Sequence, residues 1–258
     1  MEIKIGCDPE LFLKKGDQFR SGYGIVPGTK ADPYKVKGGA VQLDGLAAEF
    51  NIDPASSKPE FISNINTVLA ELRGMVPEDH VLDFSPVAHF EPGHMAEQPD
   101  HVKVLGCDPD FNAYTLKAND PPDAAMNMRT AAGHIHIGWQ DDGNPEDELH
   151  LQACATLVKQ LDFALGVPSV IHDPDVQRRA MYGRAGCFRP KSYGVEYRVL
   201  SNFWVQTEEM MAWAYDTTMN AVEDLMSGVK LFEQVTEREL QRIINTSDVH
   251  AARNLMGV

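Results

Sequence analysis

Val195-Glu196-Tyr197-Arg198-Val199 alternates polar and apolar residues at the period of an extended strand. Successive strand side chains point to opposite faces, so Glu196 and Arg198 share one face and the three apolar residues fill the other. Such a strand constrains the fold: one sheet face buries a core, and the other carries a carboxylate beside a guanidinium. Three further runs repeat the arrangement. Asp8 and Glu10 stand two apart within residues 5–13, Glu49 and Asn51 within residues 46–52, and His134 and His136 within Gly133-His134-Ile135-His136-Ile137-Gly138. If the four strands lie in one sheet in matching register, carboxylates, imidazoles and an arginine converge on one surface.

The rest of the chain supplies layers around that surface. Residues 2–15 read as a strand broken by Pro9, hence an edge or bulged strand. Residues 16–40, rich in glycine, proline and lysine, read as a long loop or short hairpin, and residues 41–52 as a second strand. Ser57-Lys58-Pro59-Glu60 has the form of a capping box with proline in the first turn. It opens a helix with Phe61, Ile65, Val68, Leu69 and Leu72 inward, ended by Gly74 and Pro77. Residues 81–91 alternate as a strand. The loop-rich stretch 92–130 contains Gly106-Cys107-Asp108-Pro109-Asp110, an echo of the first motif. That echo reads either as a reused Asx-type turn or as a substrate-contacting loop.

Residues 130–139 form the histidine strand. Asn144-Pro145-Glu146 opens a helix with Leu149, Ala153, Leu157, Leu161 and Leu165 inward and Gly166 closing it. Further helices are expected over 207–226 and from Thr236-Glu237-Arg238-Glu239 onward. No linker divides the 258 residues, and the polar pairs come from both ends of the chain. The expectation is one α+β domain over residues 1–258, with a curved antiparallel or mixed sheet and helices packed on its outer face.

Charge and cysteine content exclude some classes. A net charge of −15 argues against direct nucleic-acid binding, because a phosphate backbone calls for an excess of Lys and Arg. No membrane-length apolar run is read, and the charged start Met1-Glu2-Ile3-Lys4 lacks the shape of a signal peptide. Cys7, Cys107, Cys154 and Cys187 are widely spaced, which suits reduced thiols in a cytoplasmic protein.

The chemistry follows from residue types. Asp8, Glu10 and Glu49 are hard oxygen donors suited to Mg²⁺ or Mn²⁺. His134 and His136 suit contact with a metal or phosphate, or a structural role, and the glycines beside them permit close approach. Residues 178–191 carry Arg178, Arg179, Arg184, Arg189 and Lys191, the strongest local reversal of charge in an acidic chain. The run leads directly into Glu196 and Arg198, and arginine forks bind phosphate oxygens bidentately. Carboxylates for divalent ions beside an arginine cluster fit nucleotide phosphoryl transfer. Neither a P-loop nor a Gly-x-Ser-x-Gly motif is present.

The ordered set resembles a known family. The acid-Pro-Glu first strand, the Glu-x-Asn strand, Gly-His-Ile-His-Ile-Gly, the Tyr-Gly-x-x-Gly-x-x-Arg loop at 182–189 and Glu196-Tyr197-Arg198 are similar to the glutamine synthetase and glutamate–cysteine ligase superfamily. The branch they resemble is the phage-type carboxylate–amine ligases (amidoligase type 2). The resemblance spans the chain to about residue 205. It implies an ATP-dependent ligase that makes an amide through an acyl phosphate, with ATP and Mg²⁺ or Mn²⁺ as cofactors. Asp8, His134 and Glu196 would hold the metal bridging the ATP phosphates, and Glu10 and Glu49 the metal nearer the substrate. His136 would sit near the substrate or γ-phosphate. Arg184, Arg189 and Arg198 would contact phosphates or the acyl phosphate, joined by Arg178 and Arg179. The superfamily's first strand usually begins with Glu where this chain has Asp8. Its second glutamate for the substrate-side metal is missing from the usual spacing, with Asp44 as a stand-in. Substrates would be a small-molecule or peptide carboxylate and an amine, in the cytoplasm, or the host cytoplasm for a phage-encoded chain. Oligomeric state is not encoded legibly. Two other readings use the same residues: a metal-dependent phosphohydrolase, and a non-catalytic nucleotide-binding relative.

Overall fold

Pro9 divides the first run, as its fixed φ and missing N–H predict. In the computed structural model, which describes residues 2–104, 110–120 and 127–258, β1 (Lys4–Cys7) and β2 (Glu10–Lys15) belong to different sheets. Strands β3 (Gln18–Arg20), β4 (Tyr34–Val36), β5 (Gly39–Asp44) and β6 (Ala47–Ile52) follow. Residues 16–40 therefore hold two strands, and residues 41–52 form part of a hairpin rather than one strand. Gly45, at φ 57°, takes the first of two loop positions between the paired residues Asp44 and Ala47, a left-handed conformation that costs glycine little.

α1 (Lys58–Met75) buries Phe61, Ile65, Val68, Leu69 and Leu72, as its periodicity predicts. Its cap differs: Ser57 makes no side-chain capping bond, and the Ser56 N–H donates to Glu60 Oε2 at 2.9 Å. Residues 81–91 are two short strands, β7 (Val81–Asp83) and β8 (Val87–His89), with Pro86 between them. After α2 (Pro92–Glu97) and α3 (Asp100–Lys103) come β9 (Phe111–Asn112), β10 (Lys117–Ala118), β11 (Met128–Thr130) and β12 (Ile135–Gly138). The histidine run is thus split, with His136 inside a strand and His134 just before it. Gly106 to Pro109 of the echo motif, with Cys107, lie outside the described residues, whereas Asp110 lies within them.

α4 (Glu148–Leu161) continues through a π-helical turn at Asp162–Gly166 into α5 (Val167–His172), so Gly166 does not end the helix. Its inward stripe is Cys154, Leu157, Val158, Leu161 and Leu165, while Leu149 in the first turn and Ala153 are exposed. The stretch Glu148–His172 is long and apolar enough to cross a membrane, which corrects the sequence reading. Its apolar window is 72% buried inside the protein, however, as in a core helix. α6 (Val176–Met181), β13 (Cys187–Lys191), β14 (Gly194–Tyr197), α7 (Glu208–Met226), α8 (Glu237–Asn245) and α9 (Val249–Met256) complete the chain. Thr207 and Thr236 cap α7 and α8, their side chains accepting from the N–H groups of Met210 and Glu239. Cys7, Cys154 and Cys187 are buried free thiols.

Among the described residues every strand pairing is antiparallel. The first sheet runs β1-β12-β14-β13-β9-β10. The second runs β3-β2-β6-β5-β4 with β7 also on β2, and β8 pairs with β11. The four polar pairs therefore do not share one sheet, because the chain crosses from one sheet to the other at Asp8-Pro9. Backbone bonds weld the crossing. Phe50 N–H donates to Pro9 O at 3.1 Å, Glu10 N–H donates to Ala132 O at 2.8 Å, and Ile5 and Ala55 exchange two bonds of 2.9 Å. Ala48, Phe50, Ile135, Ile137, Val195 and Tyr197 are buried in one core that continues into α1, α4 and α7. A second core of Phe12, Leu46, Ala88, Phe90, Met95, Val102 and Ala131 packs on the other face of β2. The architecture is α+β, with antiparallel sheets and the long helices on one side.

Candidate functional site

Strand register builds two polar rows. In the first sheet Gly6 lies opposite His136, His136 opposite Glu196, and Glu196 opposite Arg189. In the second, Glu10 lies opposite Glu49, and Glu49 opposite Gln42. Directly opposed residues of antiparallel strands share a face, so each row points away from the main core. Asp8, at the crossing, joins the rows.

Around Asp8 and Glu196 the charges are heavily paired. Asp8 Oδ1 is 3.1 Å from His134 Nδ1 and 3.1 Å from His136 Nε2. Glu196 is fully buried and faces Arg198 Nη1, Lys191 Nζ at 2.8 Å, Arg189 Nη1 at 3.5 Å and His134 Nδ1 at 3.5 Å. Burial and the Asp8 charge push the Glu196 carboxyl up, but Arg198, His136 and His134 outweigh them and bring it to about 2. Asp8 is likewise held well below the usual carboxylate range, the two histidines overcoming burial. His134 is lowered by burial and Arg198, whereas Asp8 raises His136 against burial.

The second cluster, Glu10, Asp44 and Glu49, has the opposite character. Burial, then Asp44, raises Glu10 to about 7, although its Oε2 accepts from the Ala132 N–H at 2.9 Å. Burial, then Asp8, Asp44 and Glu10, raises Glu49 well above its ordinary value. Lys30 Nζ lies 2.8 Å from Asp44 Oδ2. Glu49 Oε2 is buried with no hydrogen-bond partner, an arrangement that is costly for a carboxylate unless a cation compensates it.

The ligand atoms of Asp8, His136 and Glu196 lie within 4.8 Å of one another, and so do those of Glu10, Asp44 and Glu49. Both sets fit divalent ions: an all-carboxylate set suits Mg²⁺, and one imidazole among carboxylates also suits Mn²⁺. The grouping brings His136 together with Asp8 and Glu196, beside His134, which the resemblance implied and whose Nδ1 lies 3.1 Å from Asp8 and 3.5 Å from Glu196, and it brings Asp44 to Glu10 and Glu49. A cavity of about 120 Å³ is lined by residues of both sets with His134, Arg189 and Arg198. A cleft of about 850 Å³ shares Asp8, Lys30, Gln42 and Glu49 with it and extends past Trp139 and Tyr193. A smaller pocket shares Glu10, Asp44, His134 and Arg198 and extends to Leu46, Arg129 and Tyr182.

Three of the five arginines implicated by the sequence are placed elsewhere. Arg178 is 1% exposed, and its Nε, Nη1 and Nη2 donate to the carbonyls of Ala131 (3.1 Å), Val199 (2.8 Å) and Leu200 (2.6 Å). Burial lowers it to about 10. Gly183, at φ 78°, lies against this guanidinium, where a Cβ would stand 2.1 Å from Nη1. Arg179, equally buried, donates to Ser169 Oγ and the Asp173 carbonyl. Arg184 is exposed, donates to the Ala180 carbonyl and lines none of the three cavities. Arg178 acts as a fold clamp, its three nitrogens spent on backbone carbonyls, and Arg179 is held through Nη2 with its buried Nε and Nη1 left without a hydrogen-bond partner; neither lines the three cavities.

Other residues reach the site without a motif of their own. Gln42 alternates in β5 with Asp44, the stand-in that the resemblance implies, a signal lost when the hairpin is read as one strand. Lys30 carries no local signal, since its loop is brought to Asp44 only by folding. Asp110, the last residue of the echo motif, has Oδ2 at 3.5 Å from Arg198 Nε.

The raised carboxyls set a pH dependence. Between about pH 4.5 and 7 the folded chain binds more protons than the unfolded one at Glu10 and Glu49, and at buried Asp162, which burial raises to about 7. Stability must therefore fall as pH rises through that window. Asp8 and Glu196, with lowered values, act in the opposite sense only at more acidic pH. Thermal unfolding of metal-free protein from pH 5 to 8 is expected to show a declining Tm, reversed by added Mn²⁺. A Tm that rises with pH would contradict the charge assignment.

Comparison with known proteins agrees with the motifs. No curated protein matches the chain. Among solved structures it is similar to one described as a novel glutamine synthase homolog, at 10% identity and a TM-score of 0.39, covering 99% of this chain and 67% of that one. The family model described as phage phiEco32-like COOH.NH2 ligase-type 2 matches residues 125–234, the segment that holds His134, His136, the 182–189 loop, Glu196 and Arg198. Asp8, Glu10 and Glu49 lie outside that match and reach the same cavity through the fold. Over residues 125–234, the chain is thus similar to the phage phiEco32-like COOH.NH2 ligase-type 2 family.

Proposed function

We propose that the chain is an ATP-dependent carboxylate–amine ligase, one catalytic domain over residues 1–258, that forms an amide through an acyl phosphate. The observation that carries this reading is a single cavity lined by Glu10, Asp44 and Glu49, by Asp8 of the other set, and by the guanidinium-bearing side chains of Arg189 and Arg198. Asp8, His136 and Glu196 would hold one divalent ion, Mg²⁺ or Mn²⁺, and Glu10, Asp44 and Glu49 another. Such ions, when bound, neutralise phosphate charge and polarise phosphoryl oxygens. The acidic surface disfavours nucleic acid as a partner, and the substrates are small-molecule or peptide acids and amines. The cytoplasm, or that of the host for a phage-encoded chain, is the compartment proposed.

In this reaction a substrate carboxylate oxygen attacks the γ-phosphorus, the bond to ADP breaks, and ADP departs. The amine nitrogen then attacks the acyl carbon, the bond to phosphate breaks, and the nitrogen loses a proton. Arg189 and Arg198 supply forked donors to the charge developing on the phosphoryl oxygens. These donors face Glu196 in the free protein, so an arriving polyphosphate competes for them. Arg198→Met is expected to lower kcat about 100-fold, the usual effect of removing one such donor.

The test is ADP release measured across a panel of acids and amines, with hydroxylamine as an acyl-phosphate trap. The expected result is turnover that needs an acid, with hydroxamate formed when hydroxylamine replaces the amine. Phosphate release without an amine and without amide product would instead make the chain a metal-dependent phosphohydrolase. Metal-dependent ATP binding with no turnover on any pair would make it a non-catalytic relative.

A further inference from the structure

His136 has two polar neighbours, one on each ring nitrogen. Nε2 faces Asp8 Oδ1 at 3.1 Å, and Nδ1 is hydrogen-bonded to the Tyr193 hydroxyl. The two rings lie 6.0 Å apart at 27°. Tyr193 sits in the turn between β13 and β14, and its backbone is tied to the end of β12, the strand that bears His136. Its carbonyl accepts from Trp139 N–H at 2.9 Å and from Gln140 N–H at 3.2 Å. Gly194 lets this turn close: at φ 154°, a Cβ there would stand 2.1 Å from the Ile137 carbonyl. The phenol is thus held by the same short segment of sheet as the imidazole it touches.

We infer that Tyr193 is a positioning residue for the Asp8/His136/Glu196 set, its hydroxyl fixing the His136 ring so that Nε2 is presented to a divalent cation. The inference rests on the proposed occupancy of that set. A phenol oxygen can both donate and accept, so it can follow either tautomer of a neutral imidazole. With a cation at Nε2, the ring proton resides on Nδ1 and is donated to the Tyr193 oxygen. Without one, the Tyr193 O–H donates to Nδ1, and the buried Nε2 faces Asp8 Oδ1 at 3.1 Å without a hydrogen bond. A phenyl ring at 193 can do neither, and the imidazole loses the partner that selects its tautomer and orientation. Outer partners of metal-bound histidines typically contribute about 10–100-fold to metal affinity. His134, whose Nδ1 already lies between Asp8 and Glu196, is oriented by carboxylates instead.

The experiment compares Mn²⁺ binding, by calorimetry and by loss of the free-ion electron paramagnetic resonance signal, in the wild type, Tyr193→Phe and His136→Asn without nucleotide. Circular dichroism and Tm confirm folding. The expected result is a 10–100-fold weaker Mn²⁺ site in Tyr193→Phe and a loss at least as large in His136→Asn. Nitrogen-15 spectra of the Mg²⁺-saturated wild type should show a single Nδ1–H tautomer for His136, with Tyr193→Phe showing a mixture. Wild-type affinity and a single tautomer in Tyr193→Phe would overturn the positioning role while leaving the metal site standing. An absence of Mn²⁺ binding in the wild type would overturn the occupancy itself, and the inference with it.

Discussion

Glu196→Ala is expected to abolish the metal dependence of nucleotide binding and to lower ligase turnover by about 10²–10³-fold, the scale of losing one preorganised electrostatic contact or more. The wild-type carboxylate faces Arg198, Lys191 and Arg189 on one side and the Asp8 histidines on the other. Its removal deletes a proposed ligand and releases three cationic side chains into the cavity. Those cations still attract a polyanion, so ATP binding should persist weakly without Mg²⁺ and gain nothing when Mg²⁺ is added. Calorimetric titration of ATP with and without Mg²⁺ reads this difference directly. The variant also leaves cations partly buried without their carboxylate, a change that commonly costs about 3–5 kcal/mol. Glu196→Gln, which keeps the shape and a hydrogen-bonding group, is therefore run beside it. Undiminished Mg²⁺-dependent binding in both variants would move the nucleotide site away from this cavity.

Arg178→Met is expected to cost stability rather than ATP affinity. One guanidinium satisfies three buried carbonyls, those of Ala131, Val199 and Leu200. Methionine fills much of the volume but strands the Ala131 and Val199 carbonyls, while the Leu200 carbonyl keeps the Gly133 N–H at 3.0 Å, and each unsatisfied buried group costs about 1–3 kcal/mol. A loss on the order of 3 kcal/mol or more follows. For a chain of this size that lowers Tm by roughly 6–12 °C, at about 2–4 °C per kcal/mol. Arg178→Lys should recover little, because a single ammonium lacks the planar fork that spans three acceptors. Arg184→Met, on an exposed side chain, should stay within about 0.5 kcal/mol of the wild type. An Arg178→Met protein with unchanged Tm and weakened ATP binding would return this arginine to the phosphate site.

The two arginine variants mark the limit of local reading. Arg178, Arg179, Arg184, Arg189 and Arg198 look alike in a basic stretch, since charge is a property of the residue and contact is a property of the fold. Strand phase distinguishes two of them. Arg189 stands opposite Glu196 in register, and Arg198 lies two residues beyond Glu196 on the same face. Arg178 and Arg179 sit on the short helix α6, whose position against residues 131 and 199–200 no local pattern encodes.

What the sequence determined by itself was the chemistry of each strand face. Alternation at period two decided that Glu10, Glu49, His136 and Glu196 point away from the core that Ala48, Phe50, Ile135, Ile137, Val195 and Tyr197 fill, and helical period decided the buried stripe of α1. Side-chain direction is dictated by backbone geometry within a few residues, so it is legible without partners. Tertiary structure alone decided the division into two sheets at Asp8-Pro9, the pairing of His136 with Asp8 and Glu196, and the arrival of Asp44 beside Glu10 and Glu49. Those outcomes depend on which strands hydrogen-bond and in what register, choices made by burial summed over the whole chain.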